Sequence, residues 1–422
     1  MISDGLLLIS RLDLSSFVAM FWHAIFFEMP RFLLAVVAVG AVEAAGGRQT
    51  RRSGKEYRPT VSILLAGHNE GPSLRRCILG LHEQTRQDIQ IVVIDDGSTD
   101  NMREVGKKLK AEGLIDVFLS RAIRTGKSAS VNLGFNYCSG EIIVVADIDT
   151  SFDRDALELI VQPFVDRRVG GVCGGIAVRN ADAGILARFQ AIQYNVSISL
   201  GRRVSDMFGV LFIMSGAFAA FRREAFQQIG GESVGPGEDA DITIKLRRAG
   251  WLVRFEPAAW ALTDVPETFS GLVKQRLRWS RSLVRIRTRK FKTIFNPWSP
   301  NFSLSDALGT LDIIVFQAIM SAAFYVYVIW LFAYFGSFAW VILGAVSSYY
   351  VVTALVSFAI ALSVAAPHAR PSLLPYVPGN ALFNAYVLRA VALYAYIDEL
   401  MFRASYRDSY VPTFVSRQAQ QQ

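Results

Sequence analysis

The chain has 422 residues, too many for one small core and enough for two or three structural units. Hydrophobic residues make up 52% and charged residues 19%, with a mean hydropathy of +0.31, which excludes a chain that is membrane throughout and points to a soluble domain spliced between apolar segments. The net charge of +8 opens a nucleic-acid reading, but the basic runs sit beside apolar segments, so they are read as facing an anionic lipid surface and no nucleic-acid partner is expected.

The start, MISDGLLLIS, lacks a basic n-region and a small-residue cleavage site, and no cleaved leader is expected. A first apolar stretch runs from about Phe17 to Ala45, broken by Glu28-Met-Pro-Arg31. Two readings stand: a tilted crossing helix kinked at Pro30, or an interfacial helix followed by a short crossing. The basic run Arg48, Arg51, Arg52, Lys55 and Arg58 marks the following flank as cytoplasmic.

From Pro59 to about Thr263 the texture changes. Short β-rich runs (Val61–Ala66, Ile89–Ile94, Asp116–Leu119, Glu141–Ala146) alternate with helical stretches (Ser73–Gln84, Arg103–Glu112, Lys127–Cys138). That alternation predicts a parallel sheet with covering helices, and ligands just beyond the carboxyl ends of its strands. Two later segments, Ala183–Val204 and the basic Phe269–Ile294, are amphipathic and suit a headgroup plane. Leu311–Phe335 and Phe338–Ala365 are each long enough to cross a membrane, joined by Phe335-Gly-Ser-Phe338. Asn380–Phe402 carries Arg389, Asp398 and Glu399 and is read as interfacial or re-entrant, because a full crossing would put Arg403, Arg407 and Arg417 outside. Cys77, Cys138 and Cys173 form no CxxC pair and read as reduced, packed thiols.

Four clusters are placed where chemistry is expected. Asp95-Asp96-Gly97-Ser98 follows a strand, and a carboxylate there accepts a hydrogen bond from a base nitrogen; taken alone it is also an ordinary Asx-capped turn. Asp147-Ile148-Asp149 puts two carboxylates at a strand end, either a polar turn or a seat for a hard cation that bridges to diphosphate oxygens. Gly235-Pro-Gly-Glu238-Asp239 opens a helix, so its acids are either caps or a general base. Gln275-Arg-Leu-Arg278-Trp279 lies on the basic helix, where the charges bind lipid or the pair of Arg and Trp meets a diphosphate and a sugar ring. Gly126-Lys127-Ser128 looks like the end of a phosphate-binding loop, but position 121 is Arg and ATPase chemistry is set aside.

Taken in this order and spacing, DDGS, DxD, GED and QxxRW between membrane segments resemble the processive family 2 glycosyltransferases, the bacterial cellulose, chitin, hyaluronan and poly-N-acetylglucosamine synthases and the rhizobial chitin-oligosaccharide synthase among them. The resemblance covers roughly Pro59 to Arg289. It implies a Rossmann-like α/β domain of the GT-A type, inserted between transmembrane helices and accompanied by interface helices. The expected division is a membrane segment and linker (1–58), the transferase domain (59–300) and a second membrane region (301–422). Carried over position by position, Glu70, Asp96, Lys127, Asp147, Gln275 and Arg278 would bind the nucleotide sugar. Asp149 with Asp147 would hold Mg²⁺ or Mn²⁺, Asp239 would be the base and Glu238 its support. Trp279, with Ser215 and Gly216 in Phe212-Ile-Met-Ser-Gly-Ala217, would meet the acceptor.

The resemblance further implies a UDP-sugar donor, a growing β-linked glycan as acceptor, contact with membrane lipids, and a homo-oligomer or an export partner. It places the chain as a multi-pass protein of a bacterial inner membrane with its catalytic domain in the cytoplasm. Two alternatives remain: addition of one sugar to a lipid, as in ceramide glucosyltransferases, and an inactive membrane scaffold.

Overall fold

The computed structural model describes residues 13–30, 32, 33, 37, 40, 57–233, 235–299, 302–364, 368, 370–407 and 412–421. The basic residues 48–55, and residues 31, 34–36, 38, 39 and 41–45 of the expected first apolar stretch, lie outside the described residues. The elements that matter here are α1 (Leu14–His23), β1 (Val61–Gly67), α2 (Gly71–His82), β2 (Ile89–Asp95), α3 (Met102–Ala111), β3 (Val117–Ser120), α4 (Lys127–Phe135) and β4 (Ile142–Ala146). They continue with β5 (Ser151–Phe152), β6 (Val169–Val178), α5 (Ile185–Gln193), β7 (Phe218–Arg222), α6 (Glu238–Arg248), β8 (Leu252–Thr263) and α7 (Phe269–Arg285). The last are α8 (Met320–Phe335), α9 (Ala339–Val364), α10 (Arg389–Phe402) and α11 (Thr413–Gln421).

One eight-stranded sheet runs in the order β3-β2-β1-β4-β7-β6-β8-β5. Its apolar strands are buried on both faces. In β1, Ile63 and Leu65 join a core with Leu74, Ile78 and Leu81 of α2, whereas Leu64 and Ala66 join a second core with Val131 and Phe135 of α4. The period of two thus splits one strand between two hydrophobic layers.

The expected parallel sheet is corrected to a mixed one. β1–β2, β2–β3 and β1–β4 are parallel, but β4–β7, β6–β7 and β5–β8 are antiparallel. β7 enters antiparallel to β4, with Phe218 opposite Ala146. It therefore starts at the edge where β4 ends. β6 runs against β7 and β8 runs with β6, so the ends of β6 and β8 return to that same edge. Loops from both halves of the domain converge there as a direct result of strand direction.

Among the described residues, one helical stretch, Met320–Ser363, is long and apolar enough to cross a membrane, with a mean hydropathy of 2.0. It is folded as a hairpin. The Phe324 and Tyr350 rings lie 6.5 Å apart although 26 positions separate them, and a straight helix at ~1.5 Å per residue would hold them several times farther. Gly336, at φ +54°, turns the chain between the two arms. α1 joins this hairpin through Tyr327 Oη, which donates to Met20 O at 2.7 Å.

The headgroup reading of the basic segment 269–294 is corrected for its C-terminal half. Arg281 pairs with Asp398 and Arg289 with Glu399, both at 2.6 Å, and Lys290 pairs with Asp241 at 2.7 Å. Arg285 and Arg287 are 5% and 3% exposed. Cations so buried need partners inside the protein: Arg285 donates to Pro236 O and Arg287 to Thr310 Oγ1, while the carboxylates that pair with Arg281, Arg289 and Lys290 come from α10 and α6. Lys274 and Lys292 remain exposed.

Candidate functional site

The edge formed by the ends of β1, β2 and β4 and the start of β7 brings together most of the expected residues. Lys127, the first residue of α4, places Nζ 2.6 Å from Asp147 Oδ1 and 3.3 Å from Gly216 O. A Cβ built on Gly216 would lie 2.4 Å from Asp239 Oδ1 and 3.0 Å from Lys127 Nζ. Asp147, Lys127, Gly216 and Asp239 therefore share one small volume, and only a glycine fits among them. Burial opposes the charge on Lys127, but Asp147, Asp239 and Glu238 outweigh it and hold the ammonium well above the ordinary lysine range.

Asp239 opens α6 beside Glu238, and the turn before it is built on Gly237 at φ +87°. Burial first, and the Glu238 charge second, push the Asp239 carboxyl up to about 7. The helix is tied to the loop before β7, because Thr243 Oγ1 donates to Asp239 O at 2.6 Å and accepts from Met214 N at 3.0 Å. Ser215 completes that loop by accepting from Phe218 N at 3.1 Å through its carbonyl. An acid with a proton affinity near neutrality, beside a glycine and a lysine, has the chemistry of a general base.

Asp149 and Glu70 form the other flank. Burial and then the Asp147 charge raise the Asp149 carboxyl above the usual range. Burial, followed by Asp149, Asp147 and Asp100, pushes Glu70 up to about 7. The Asp147 and Asp149 charges beside Glu70 suit a hard cation, which removes that repulsion. Among the described residues no group of three His, Cys, Asp or Glu side chains closes on a metal by itself. The protein thus offers a partial oxygen set, Asp147 and Asp149, of the sort that is completed by phosphate oxygens.

Asp96 has another task in this structure. Its buried carboxylate accepts from Thr125 N and Oγ1, both at 2.8 Å, from Gly126 N at 2.7 Å and from Ser130 Oγ at 2.8 Å. Three of these donors meet Oδ1 and one meets Oδ2, so Asp96 anchors the turn that presents Lys127 while Oδ2 keeps one acceptor position.

Gln275, Arg278 and Trp279 lie on α7. Gln275, Arg278, Ser282 and Arg285 recur at i, i+3, i+7 and i+10, one helical face. That face meets the loop before Asp239: a Cβ on Gly237 would lie 3.1 Å from Ser282 Cβ, and Arg285 Nη2 donates to Pro236 O. Trp279 is 39% exposed, with the Arg276 guanidinium 4.7 Å from its ring centre. Gln275 Oε1 is buried and makes no hydrogen bond.

Residue-by-residue reading missed two groups. Arg179, just past β6, donates to Asp149 O at 2.9 Å and to Asp264 Oδ2 at 2.6 Å. Glu232 is buried near Lys127 and is pushed up to about 8, first by burial and then by Glu238. Neither belongs to a local motif, and the strand that Arg179 follows is not among the runs read from the sequence.

Residues 62–230 match the family described as glycosyl transferase family 2. The chain is 30% identical over 233 residues to a poly-beta-1,6-N-acetyl-D-glucosamine synthase of Staphylococcus aureus, covering 55% of this chain and 56% of that protein. It is 28% identical over 271 residues to the synthase of the same description from Staphylococcus epidermidis, covering 64% and 63%. The matches thus span rather more than half the length of these curated relatives. In structure it is similar to a mannosyltransferase from Pyrobaculum calidifontis solved in complex with GDP-Man and Mn²⁺, with a TM-score of 0.55, 19% identity and coverage of 95% of this chain and 99% of that one. That likeness bears on the fold alone, and it extends to the helices outside the sheet. Motif order, sheet-edge geometry and sequence matches agree that this chain carries a glycosyl transferase family 2 domain.

Proposed function

We propose that the chain transfers N-acetylglucosamine from UDP-N-acetylglucosamine to the end of a growing β-linked glycan at the cytoplasmic face of a bacterial inner membrane. The observation that carries this reading is the meeting of Lys127, Asp147, Gly216 and Asp239 at one sheet edge. The sugar is taken from the names of the staphylococcal relatives.

In this reading Asp239 accepts the proton of an acceptor hydroxyl. The freed oxygen pair bonds to the anomeric carbon as the bond from that carbon to the diphosphate breaks, and the electron pair of that bond leaves with UDP. Attack from the opposite side inverts the anomeric centre, giving a β-linkage. Glu238 supports Asp239, and Gly216 leaves room for the acceptor beside it. Lys127, Arg278 and Gln275 face the diphosphate, and Trp279 stacks on the acceptor sugar. Asp149 and Asp147 would hold Mg²⁺ or Mn²⁺, which would supply positive charge to the departing diphosphate. Glu70 borders the nucleotide, and Asp96 acts through the turn it anchors.

A cavity of about 460 Å³ beside α5 is lined by polar residues such as Gln193, Ser197, Asn380 and Asn384 and by apolar ones such as Phe32, Ile192, Val196 and Ala354, so it has room for either a glycan or a lipid acceptor. Gln193 accepts from Arg276 at 2.7 Å and donates to Asn380 and Asn384 at 3.2 and 3.0 Å, so amides lead from the Trp279 turn into this space. Continued elongation is preferred to single addition to a lipid on the names of the staphylococcal relatives, which are polymer synthases.

The test is UDP release by the full chain in detergent, with UDP-N-acetylglucosamine or UDP-glucose, with and without Mn²⁺, and products sized by mass spectrometry. A metal-dependent ladder of N-acetylglucosamine units is expected. Asp239→Asn should abolish release while UDP still binds. One sugar on a lipid would replace the polymer reading, and loss of UDP binding by Asp239→Asn would remove the base assignment.

A further inference from the structure

Arg179 is the first residue beyond β6, at the edge where the site lies. Its guanidinium is used on every side. Nη2 donates to Asp149 O at 2.9 Å and to Asp264 Oδ2 at 2.6 Å, Nε donates to Asp264 Oδ1 at 3.0 Å, and Nη1 donates to Ser151 Oγ at 3.1 Å. Its own backbone N–H donates to Thr263 O at 2.9 Å. One planar fork thus joins the Asp147–Asp149 turn to the first residue past β8.

The neighbouring residues extend the join. Asn180 Nδ2 donates to Val265 O and Glu267 Oε1, both at 3.0 Å, and its Oδ1 accepts from Val265 N at 2.9 Å. Gln190 Nε2 donates to Pro266 O at 2.8 Å. Thr268 then caps α7 by accepting from Gly271 N. Residues 264–268 are held along their length, and Gln275 follows two helical turns later. The Asp149 carbonyl is the atom whose orientation fixes the peptide after that residue, and hence where its carboxylate starts.

We infer that Arg179, paired with Asp264, is a positioning residue that sets the separation between the Asp147–Asp149 turn and the helix carrying Gln275, Arg278 and Trp279. The assignment rests on the functional reading above for what those two arms hold. Lysine cannot replace Arg179, because a single ammonium has no rigid fork to span a carbonyl, a hydroxyl and a bidentate carboxylate together. Groups that orient a ligand without touching the metal alter its affinity by ~10–100-fold.

The test uses the full chain in detergent, as wild type, Arg179→Lys and Asp264→Asn. Two readouts are taken: loss of the free Mn²⁺ resonance on titration in the presence of UDP, and amide hydrogen exchange over residues 147–151 and 264–270. Both variants should bind Mn²⁺ at least about tenfold more weakly than wild type. Both should lose exchange protection in the two segments together, with β1, β2 and β4 unchanged. Unaltered exchange in both segments, or loss in one alone, would overturn the inference, as would wild-type Mn²⁺ affinity in both variants. If wild type binds no Mn²⁺ with UDP, the metal reading fails by itself, and the paired exchange still decides the role of Arg179. Should Arg179→Lys not fold, Asp264→Asn keeps the arginine and carries both readouts.

Discussion

Lys127 Nζ stands 2.6 Å from Asp147 Oδ1, while Asp239 approaches the same ammonium across Gly216. One lysine is thus the counter-charge for Asp147, in the proposed cation turn, and for Asp239, the proposed base. Diphosphate arriving between them would compete with Asp147 for that ammonium, which couples donor entry to release of the carboxylate. Lys127→Met should lower kcat/KM for the donor by about 10²-fold or more. UDP affinity, read by calorimetry, should fall with it. Unchanged UDP affinity would place Lys127 outside the donor site.

Gly216→Ala isolates the geometry of the base. The added carbon would stand 2.4 Å from Asp239 Oδ1, closer than any real contact allows, so the carboxylate has to move. A displacement of that kind near the reacting atoms costs on the order of 10²-fold in rate. The expected result is a fall in kcat with little change in donor KM or in melting temperature.

The pH dependence of transfer follows from Asp239, whose carboxyl sits at about 7 because of burial and Glu238. A base must be ionised to accept a proton, so kcat/KM should rise as pH climbs through about 7 and level off above it. Removing one contributor tests the cause. Glu238→Gln should move the rising limb to lower pH, read from initial rates between pH 5 and 9.

The sequence reading reached β1 to β4 to within about a residue, because β1, β2 and β4 are apolar runs that become largely buried and end at Gly or Asp, and the half-buried β3 still carries the apolar triplet Val117–Leu119. Asp96, Asp147 and Asp149 were legible for the same reason, as each follows such a run, whereas Glu238 and Asp239 were read from the glycines and the helix start beside them. Sheet direction was not. The pairing of β7 against β4 depends on Phe218 lying opposite Ala146, a choice between segments more than 70 residues apart. Arg179 and Asp264 were hidden likewise, since 85 positions separate the two partners. The role of Asp96 was only half visible: the turn was read, but its four donors come from residues 125–130.

Glu232 gives a prediction about stability. Its Oε2 is buried without a hydrogen bond, and burial followed by the Glu238 charge lifts the carboxyl from the ordinary 4.5 to about 8. Below 4.5 the folded and unfolded chains both hold this proton. Between 4.5 and 8 the unfolded chain releases it and the folded chain keeps it, so stability declines as pH rises, levelling off above 8. Glu232→Gln removes that decline. Its melting temperature should match wild type near pH 5 and exceed it by roughly 2–4 °C near pH 9.

The basic segment 269–294, made of α7 and the turns after it, offers a contrast between internal and lipid-facing charge. Glu399 is fully buried and accepts from Arg289 Nη1 at 2.6 Å, from Ser405 N at 2.6 Å and from Ser405 Oγ at 2.9 Å. Removing the carboxylate leaves Arg289 with the Glu399 backbone carbonyl but strands the Ser405 N–H and hydroxyl, a cost of about 1–3 kcal/mol. Glu399→Ala should therefore lower the melting temperature in detergent by several degrees and loosen α10 from α7. Lys274 and Lys292 are exposed, so Lys274→Gln with Lys292→Gln should leave stability alone and weaken binding to vesicles rich in anionic lipid. The reverse pattern, with lipid binding dependent on Glu399 and stability dependent on Lys274 and Lys292, would return the whole of α7 to the headgroup plane. Since Arg285 of the same helix holds the Pro236 carbonyl beside the Asp239 turn, a loosened α10 should also reduce kcat, linking the C-terminal helix to the base it never touches.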